Sequence, residues 1–174
     1  MAIITFITGG QRSGKSRYAM QLAENISYNP IYLATARVWD EDFKQRIIRH
    51  QSDRNETWQT IEEEIAISKL NVDNRTVLLD CITLWLTNIF SDNEYDVQKS
   101  LDIAKQEWDL LAKKNMQLIV VSNELGMGIH AETEVARKFA DLQGWMNQYI
   151  AKTATTVYLM ISGIQLKIKG SVQE

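Results

Sequence analysis

The sequence predicts an α/β fold, with a mainly parallel sheet flanked by helices on both faces and an antiparallel hairpin at one edge of that sheet. Three observations favour this fold class. Short apolar runs typical of buried strands alternate with stretches of helical periodicity along the chain. The first apolar run leads directly into a glycine-rich loop and then a helix. Near the carboxyl end, two apolar runs are separated only by Ser162-Gly163, a pair typical of hairpin turns.

The first half of the chain contains three apolar runs that we assign to strands, at residues 2–8, 31–35 and 76–80. Helices are predicted between them, at residues 17–25, 40–51 and 60–70. Asn29-Pro30 breaks the first helix. The stretch at 60–70 is assigned to a helix because Glu62, Glu63 and Glu64 would lie in its first turn, where the helix dipole favours anions.

The second half of the chain continues the alternation. Strands are predicted at residues 117–121, 156–161 and 164–168, and helices at residues 82–90, 96–114 and 133–153. Trp108 lies on the apolar stripe of the 96–114 helix, so we expect it in the core and not stacked on a ligand. No linker or low-complexity stretch divides the 174 residues, so a single domain spanning residues 1–174 is expected.

The loop after the first strand reads Gly9-Gly10-Gln11-Arg12-Ser13-Gly14-Lys15-Ser16 and matches G-x-x-x-x-G-K-[ST] at every fixed position. Its glycines let the backbone come close to a phosphate, and successive N–H groups and the helix N-terminus then face the anion. Lys15 would reach the β- and γ-phosphates, and the Ser16 hydroxyl would bind Mg²⁺. The loop therefore predicts a P-loop NTPase-like fold that binds a nucleotide.

Polar residues follow several of the predicted strands. Asp80 ends the 76–80 strand, as expected of a Walker-B carboxylate that reaches Mg²⁺, often through water. Because parallel strands end at one edge of a sheet, we expect the phosphate loop, Thr35-Ala36-Arg37, Asp80 and the stretch 122–129 around one crevice. The 122–129 stretch is either a binding loop or a plain strand–helix connection, and its pattern favours neither.

His50 lies among Arg46, Arg49 and Arg54. A lone histidine beside apolar residues on a helix is more often structural than functional. Here, however, neighbouring cations disfavour the imidazolium and would bind a polyphosphate, leaving a neutral ring that is able to attack phosphorus. The cluster therefore supports the hypothesis that His50 is a covalent nucleophile in nucleotidyl transfer.

Composition excludes several other classes of function. Apolar residues make up 45% of the chain and charged residues 24%, as in ordinary globular proteins. The net charge of −3 provides no basic surface for nucleic acid, and no apolar run approaches the roughly 18–20 residues that span a membrane. The single cysteine, Cys81, cannot form an internal disulfide, which suits a cytoplasmic location.

Five segments of the chain share the pattern of a known family. They are Gly9 to Arg17, Arg46 to Arg54 with Trp58, Asp80-Cys81-Ile82-Thr83, Ser122 to Ile129, and Ser162-Gly163-Ile164. In this order and spacing they resemble the bifunctional adenosylcobinamide kinase / adenosylcobinamide-phosphate guanylyltransferase family of cobalamin biosynthesis. The phosphate loop is shared with many proteins, whereas the Arg-His stretch and the Asn-Glu-x-Gly-Met-Gly-Ile loop are far more specific. The resemblance covers nearly the whole chain.

The resemblance implies two reactions. The hydroxyl of adenosylcobinamide is phosphorylated with GTP or ATP, and GMP then moves from GTP to that phosphate, which releases pyrophosphate and gives adenosylcobinamide-GDP. The histidine that holds GMP in the family corresponds to His50. The implied guanine-nucleotide contacts are Gly9 through Ser16, Thr35-Ala36-Arg37, Gln51-Ser52-Asp53-Arg54, Glu62 and Asp80. The resemblance also implies a homotrimer with sites between subunits.

Two other functions fit the same residues. The chain could be a P-loop kinase of a different small metabolite, with His50 purely structural, or a non-catalytic GTP-dependent switch or binding module. A covalent GMP adduct separates the first alternative from the bifunctional enzyme, and a protein partner would favour the second. His130 follows the 122–129 stretch, where relatives often carry Val-Pro, so a second histidine is expected near the crevice. No base-specific motif such as N-K-x-D decides between ATP and GTP for the kinase step.

Overall fold

Strands and helices alternate along the chain in the computed structural model, which describes residues 1–37 and 55–170. The strands are β1 (Ile3–Gly9), β2 (Ile31–Ala34), β3 (Gln59–Glu62), β4 (Thr76–Asp80), β5 (Gln117–Val121), β6 (Thr156–Ile161) and β7 (Ile164–Lys169). The helices are α1 (Lys15–Ile26), α2 (Ile82–Asp92), α3 (Val97–Ala112) and α4 (Glu134–Thr153), with a short 3₁₀ helix at Ile67–Lys69. The helix predicted at residues 40–51 lies outside the described residues.

The described strands form one seven-stranded sheet in the order β3-β2-β4-β5-β1-β6-β7. Neighbouring strands are parallel except for β6 and β7, which are antiparallel. The turn between these last two strands places Ser162 at φ 51° and Gly163 at φ 85°, the left-handed conformations that a type I′ hairpin requires. The predicted α/β fold with an antiparallel edge hairpin is therefore confirmed.

Both faces of the sheet are covered by helices. Helices α2, α3 and α4 pack on one face, where Trp85 and Trp108 are fully buried, so the predicted core position of Trp108 is confirmed. Helix α1 packs on the opposite face through Ala19 and Ala23. Successive residues of a strand point to opposite faces, which is why alternate strand residues divide between the two apolar clusters. None of the helices described is long and apolar enough to cross a membrane.

The carboxyl ends of the central strands meet at one edge of the sheet. Asp80 has Ala34 and Val121 as its register partners, and Val121 is in turn paired with Ile7. The segments that follow these strands therefore emerge side by side. This arrangement confirms the predicted common edge and places the phosphate loop, the end of β4 and the segment after β5 around one crevice.

The helix predicted at residues 60–70 is wrong. That region contains β3, which pairs in parallel with β2, and then the short 3₁₀ helix. The Glu63 N–H continues the ladder by donating to the Ala34 carbonyl at 3.0 Å, and Glu63 Oε1 accepts from the N–H groups of Ile65 and Ala66 at 2.9 and 2.8 Å. Pairing with β2 covers a strand edge that would otherwise be open, and this tertiary pairing outweighs a weak local preference for helix.

Candidate active site

The loop between β1 and α1 has the backbone geometry of a closed phosphate cradle. Gly9, Arg12 and Gly14 have φ angles of 151°, 57° and 95°. A Cβ on Gly9 would stand 2.5 Å from the carbonyl oxygen of Met160, and a Cβ on Gly14 would stand 3.2 Å from the Cα of Gly163. The fold therefore requires glycine at both positions, because each combines a positive φ with a close backbone neighbour.

The turn of the β6–β7 hairpin supports this loop from one side. The N–H of Gly163 donates a 2.9 Å hydrogen bond to the carbonyl oxygen of Ser13. The sequence predicted Gly163 in a hairpin turn and Met160 in a strand, but gave neither residue a contact with the phosphate loop. The contact joins residues about 150 positions apart, and a pattern in one sequence gives no signal for such a long-range pairing.

Lys15 is folded into the loop that precedes it. Its side chain is 7% exposed, and Nζ donates to the Gly10 carbonyl oxygen at 2.6 Å and to Ser13 Oγ at 3.4 Å. Burial lowers the pKa of the Lys15 ammonium, and the neighbouring Cys81 and Asp80 partly oppose this shift. A buried cation inside a cradle of backbone amides is arranged to neutralise the charge of a bound phosphate.

Asp80 lies half-buried at the end of β4, near Lys15. Tyr32 in β2 donates from Oη to Asp80 Oδ2 at 3.1 Å, which fixes the carboxylate at the sheet edge. Burial, together with the charge of Asp80, raises the pKa of the Cys81 thiol to about 12. Cys81 therefore remains a thiol at neutral pH and is a poor nucleophile.

The oxygen atoms beside the cradle suit a magnesium ion. Ser16 follows Lys15 in the first turn of α1, and Asp80 is near enough for its charge to raise the Lys15 pKa. A hydroxyl and a carboxylate are hard oxygen donors, the kind that Mg²⁺ prefers. In residues 1–37 and 55–170, no group of three or more His, Cys, Asp or Glu side chains could hold a metal alone. Two protein oxygens fit a Mg²⁺ ion that takes its other ligands from phosphates and water.

The Thr35-Ala36-Arg37 segment follows β2 at the same edge. Thr35 Oγ1 donates to the Cys81 carbonyl oxygen at 2.9 Å, so this segment is fixed to the end of β4. The Arg37 guanidinium donates to both carboxylate oxygens of Asp92 at 2.6 and 2.7 Å and also pairs with Glu64. These hydrogen bonds raise the Arg37 pKa further above its usual range. A nucleotide contact through this guanidinium would have to compete with two carboxylates.

The remaining predicted site residues fall into three groups. Glu62 ends β3 and is exposed. Four strand spacings separate β3 from β1, about 19 Å at about 4.8 Å per spacing, so the structure does not bring Glu62 to the phosphate loop. His50, Gln51, Ser52, Asp53 and Arg54 lie outside the described residues. Gln11 and Arg12 are exposed at the tip of the phosphate loop.

The segment after β5 is attached directly to the phosphate loop. The Glu124 N–H donates to the Gly9 carbonyl oxygen at 3.0 Å. Asn123 is held by Thr83, whose Oγ1 accepts from both its N–H and its Nδ2 at 3.1 Å, and by Asn147, whose Nδ2 donates to its carbonyl oxygen at 3.0 Å. The predicted proximity of the 122–129 stretch to the phosphate loop is therefore confirmed.

A buried polar cluster lies beneath this segment. Gln143 Nε2 donates to Ser122 Oγ at 2.8 Å and to Asn147 Oδ1 at 3.0 Å, and Ser122 Oγ donates to Asn147 Oδ1 at 2.6 Å. Sequence reasoning missed this cluster. The available signal was the i, i+4 spacing of Gln143 and Asn147 beside the apolar stripe of the predicted 133–153 helix.

Trp58 is the residue of the Arg-His pattern that lies within the described part of the chain. Its Nε1 donates to Glu24 Oε1 in α1 at 3.0 Å, and its ring meets that of Tyr32 edge-on at 6.3 Å between centroids. Trp58 is itself 9% exposed. These contacts give it a structural role against the face of α1, next to the β2 strand that supports Asp80.

Comparison with known proteins identifies relatives over nearly the whole chain. The model of a family described as cobinamide kinase / cobinamide phosphate guanyltransferase matches residues 5–168. The bifunctional adenosylcobalamin biosynthesis protein CobU of Escherichia coli (strain K12) is 35% identical, over 96% of this chain and 100% of the relative. The bifunctional adenosylcobalamin biosynthesis protein CobP of Pseudomonas aeruginosa is 35% identical, over 94% of this chain and 96% of the relative.

One of the solved structures similar to this chain is that of the flagellar accessory protein FlaH from Methanocaldococcus jannaschii. The similarity covers 98% of this chain and 81% of that chain, with a TM-score of 0.46 and 17% identity.

Proposed function

The chain belongs to the cobinamide kinase / cobinamide phosphate guanyltransferase family, and we propose that the site around its phosphate loop serves both reactions. In the kinase reaction, the hydroxyl of adenosylcobinamide accepts the γ-phosphoryl group of GTP or ATP. In the transferase reaction, GMP passes from GTP to the new phosphate, with release of pyrophosphate, to give adenosylcobinamide-GDP.

The closed phosphate loop is the observation on which this proposal rests. The backbone N–H groups of Gly9 through Ser16 and the N-terminus of α1 would bind the triphosphate, with Lys15 on its β- and γ-phosphates. Positioning and neutralisation of charge supply most of the catalysis in phosphoryl transfer. A buried ammonium already held within the loop suits both tasks.

Magnesium fits this site as the accompanying metal. Ser16 and Asp80 would hold it, and Tyr32 fixes the Asp80 carboxylate that faces it. Bound Mg²⁺ neutralises charge on the phosphates and orients them for in-line transfer. The contribution of the chain is to keep both oxygen donors at the end of the sheet, beside the phosphate loop.

We propose His50 as the nucleophile of the transferase reaction. Its imidazole nitrogen would form a bond to the α-phosphorus of GTP as the bond to the pyrophosphate leaving group breaks. An oxygen of adenosylcobinamide phosphate would then attack the same phosphorus and release the histidine. The support is the family membership and the flanking Arg46, Arg49 and Arg54 in the sequence. Gln51, Ser52, Asp53 and Arg54, with Thr35, Ala36, Arg37 and Glu62, are proposed as further nucleotide contacts on the same family basis.

The proposal extends to assembly and location. We propose a homotrimer of single-domain chains in the cytoplasm, with sites between subunits. Strand β7 supports a subunit contact, because Ile164, Leu166 and Ile168 are 70%, 51% and 57% exposed on the strand that ends the sheet of the described residues. Exposed apolar edge strands are surfaces that proteins usually cover.

One experiment tests the bifunctional assignment. The protein is incubated with Mg²⁺, GTP labelled at the α-phosphate and cobinamide, and mass spectrometry follows the protein and the products. We expect cobinamide phosphate, cobinamide-GDP and an acid-labile, base-stable GMP adduct that disappears in His50→Ala. A His50→Ala protein labelled as strongly as the parent would refute the covalent role. Phosphorylation without any adduct would favour a simple kinase, and slow GTP hydrolysis alone would favour a switch.

A further inference from the structure

The segment Glu124–Ile129 is a feature that the proposed phosphate and metal contacts do not use. It contains the Glu-Leu-Gly-Met-Gly-Ile sequence that directly follows Asn123. Its first residue is hydrogen-bonded to the phosphate loop through the Glu124 N–H and the Gly9 carbonyl oxygen, 3.0 Å apart. Any molecule that receives a phosphoryl group from a nucleotide in that loop must approach along the rim of the crevice, which this segment borders.

Glu124 presents a carboxylate at this rim. The side chain is half-buried, and its Oε1 accepts a 2.8 Å hydrogen bond from the Gly126 N–H. This bond holds the carboxylate within its own turn. The backbone of Glu124 is hydrogen-bonded to Gly9. The phosphate loop therefore fixes the position of Glu124, whereas the exposed residues after Glu124 do not.

Other carboxylates described at this edge of the sheet have different tasks or positions. Asp80 accepts from Tyr32 and is assigned to the metal. Glu63 accepts from two backbone N–H groups of its own turn, and Glu64 pairs with Arg37. Glu62 ends β3, which lies four strand spacings, or about 19 Å, from β1 and the phosphate loop. Glu124 is therefore the carboxylate best placed, among the residues described, to reach a hydroxyl group beside the γ-phosphate.

Apolar side chains continue outward from this carboxylate. Leu125, Met127 and Ile129 are 38%, 80% and 98% exposed, three apolar side chains within five residues. A concentration of exposed apolar side chains beside a reactive site is typical of a ligand-binding surface. A large acceptor with a wide apolar ring face would cover these side chains, whereas a small polar metabolite would not.

From these contacts we propose that Glu124–Ile129 is the acceptor site, with Glu124 as the general base of the kinase reaction and Leu125, Met127 and Ile129 as the surface for the acceptor ring; this rests on the proposed function. The acceptor O–H bond breaks and its proton passes to the Glu124 carboxylate. The acceptor oxygen forms a bond to the γ-phosphorus, and the bond from that phosphorus to the β–γ bridging oxygen breaks. Nucleoside diphosphate leaves with that electron pair.

Glu124→Gln tests the base. The amide keeps an oxygen that can accept from Gly126 N–H but cannot take a proton at neutral pH. We expect kcat for phosphorylation of cobinamide to fall roughly 10²–10⁴-fold, the usual contribution of a general base. The affinity for a non-hydrolysable GTP analogue and the transfer of GMP to supplied cobinamide phosphate should stay unchanged, since neither requires deprotonation of a hydroxyl. Glu132→Gln, an exposed glutamate of the same connection, is the matched control.

Ile129→Ser tests the apolar surface. We expect KM for cobinamide to rise about tenfold, consistent with loss of one well-buried aliphatic contact, without a change in nucleotide affinity. Ile26→Ser is the control, because Ile26 is 48% exposed at the far end of α1, about 18 Å from the phosphate loop. A change in oligomeric state with an unchanged KM would identify a subunit contact and overturn the acceptor site.

Different results would contradict the proposed function and the role of Glu124 as general base. A parent protein that phosphorylates no cobinamide would refute the proposed function itself. A parent that is active, with Glu124→Gln equally active, would refute only the assignment of the base. Loss of nucleotide binding and of GMP transfer in Glu124→Gln, together with the kinase step, would show that Glu124 merely holds the phosphate loop and would also overturn its role as base.

Discussion

The carbonyl oxygen of Met160 lies so close to Gly9 that a Cβ added at Gly9 would stand only 2.5 Å from it. Strand β6 therefore fixes the start of the phosphate loop through its backbone, which cannot move as a flexible side chain could. The loop is shaped by the neighbouring strand as well as by its own glycines. Because of this contact, we expect substitution of Gly9 to be more harmful than substitution of its neighbour Gly10.

Gly9→Ala should weaken nucleotide binding and lower the free energy of unfolding by roughly 1–3 kcal/mol, the usual cost of forcing an atom into a packed site. The matched control is Gly10→Ala, because a Cβ on Gly10 has no neighbour within 4 Å. Urea unfolding and titration with a GTP analogue measure both effects. Equal losses in the two variants would show that the Met160 contact is not what makes Gly9 necessary.

Lys15→Met should reduce the kinase rate at least roughly 10²-fold, the effect typical of removing one preorganised electrostatic contact from a transition state. The nucleotide-free protein should unfold at an unchanged or slightly higher temperature, since burial lowers the Lys15 pKa and so disfavours its charge in the folded state. Lys99→Met, at an exposed position of α3, is the control. Unchanged turnover in Lys15→Met would remove the phosphate loop from the chemistry.

Asp92→Asn tests the contact that occupies Arg37. The guanidinium holds the pKa of Asp92 below its ordinary value of 3.8, so the pair stabilises the fold above about pH 4, and this contribution is lost as the pH falls through the lowered pKa. Both side chains are partly exposed, so we expect a loss of no more than about 1 kcal/mol at pH 7.

Urea unfolding of Asp92→Asn and the parent between pH 7 and pH 3 measures this difference, which should shrink towards acid. Asp102→Asn is the control, because its partner Gln98 is uncharged, so the substitution removes no ion pair and leaves an amide oxygen to which Gln98 can still donate. A gain in GTP affinity in Asp92→Asn would support a nucleotide contact by Arg37, which in that variant keeps only one carboxylate partner, Glu64. A stability difference independent of pH would contradict the ion-pair explanation.

Whether a feature of this fold can be predicted from the sequence depends on how far apart along the chain the residues that determine it lie. The loop between β1 and α1 and the position of Asp80 at the end of β4 were predicted correctly, because each is specified by a few consecutive residues. The helix at 60–70 was wrong because β3 exists only through its pairing with β2, which no local pattern contains. The support that Gly163 gives to Ser13 was missed for the same reason, since strand pairing brings together residues about 150 positions apart.

The burial of Gln143 could not be predicted from the sequence either, and its contribution to stability can be tested. A glutamine in a helix usually faces water, yet Gln143 is 1% exposed and donates to Ser122 Oγ and Asn147 Oδ1. Gln143→Leu should lower the free energy of unfolding by about 1–3 kcal/mol, because it removes two buried hydrogen bonds, to Ser122 Oγ and Asn147 Oδ1, each of which contributes about 0.5–1.5 kcal/mol. Gln148→Leu, on the exposed face of the same helix, should be close to neutral. If both variants unfold at the same urea concentration as the parent, the hydrogen bonds of Gln143 do not stabilise the fold, and the segment after β5 must then be held by Asn147, Thr83 and Gly9.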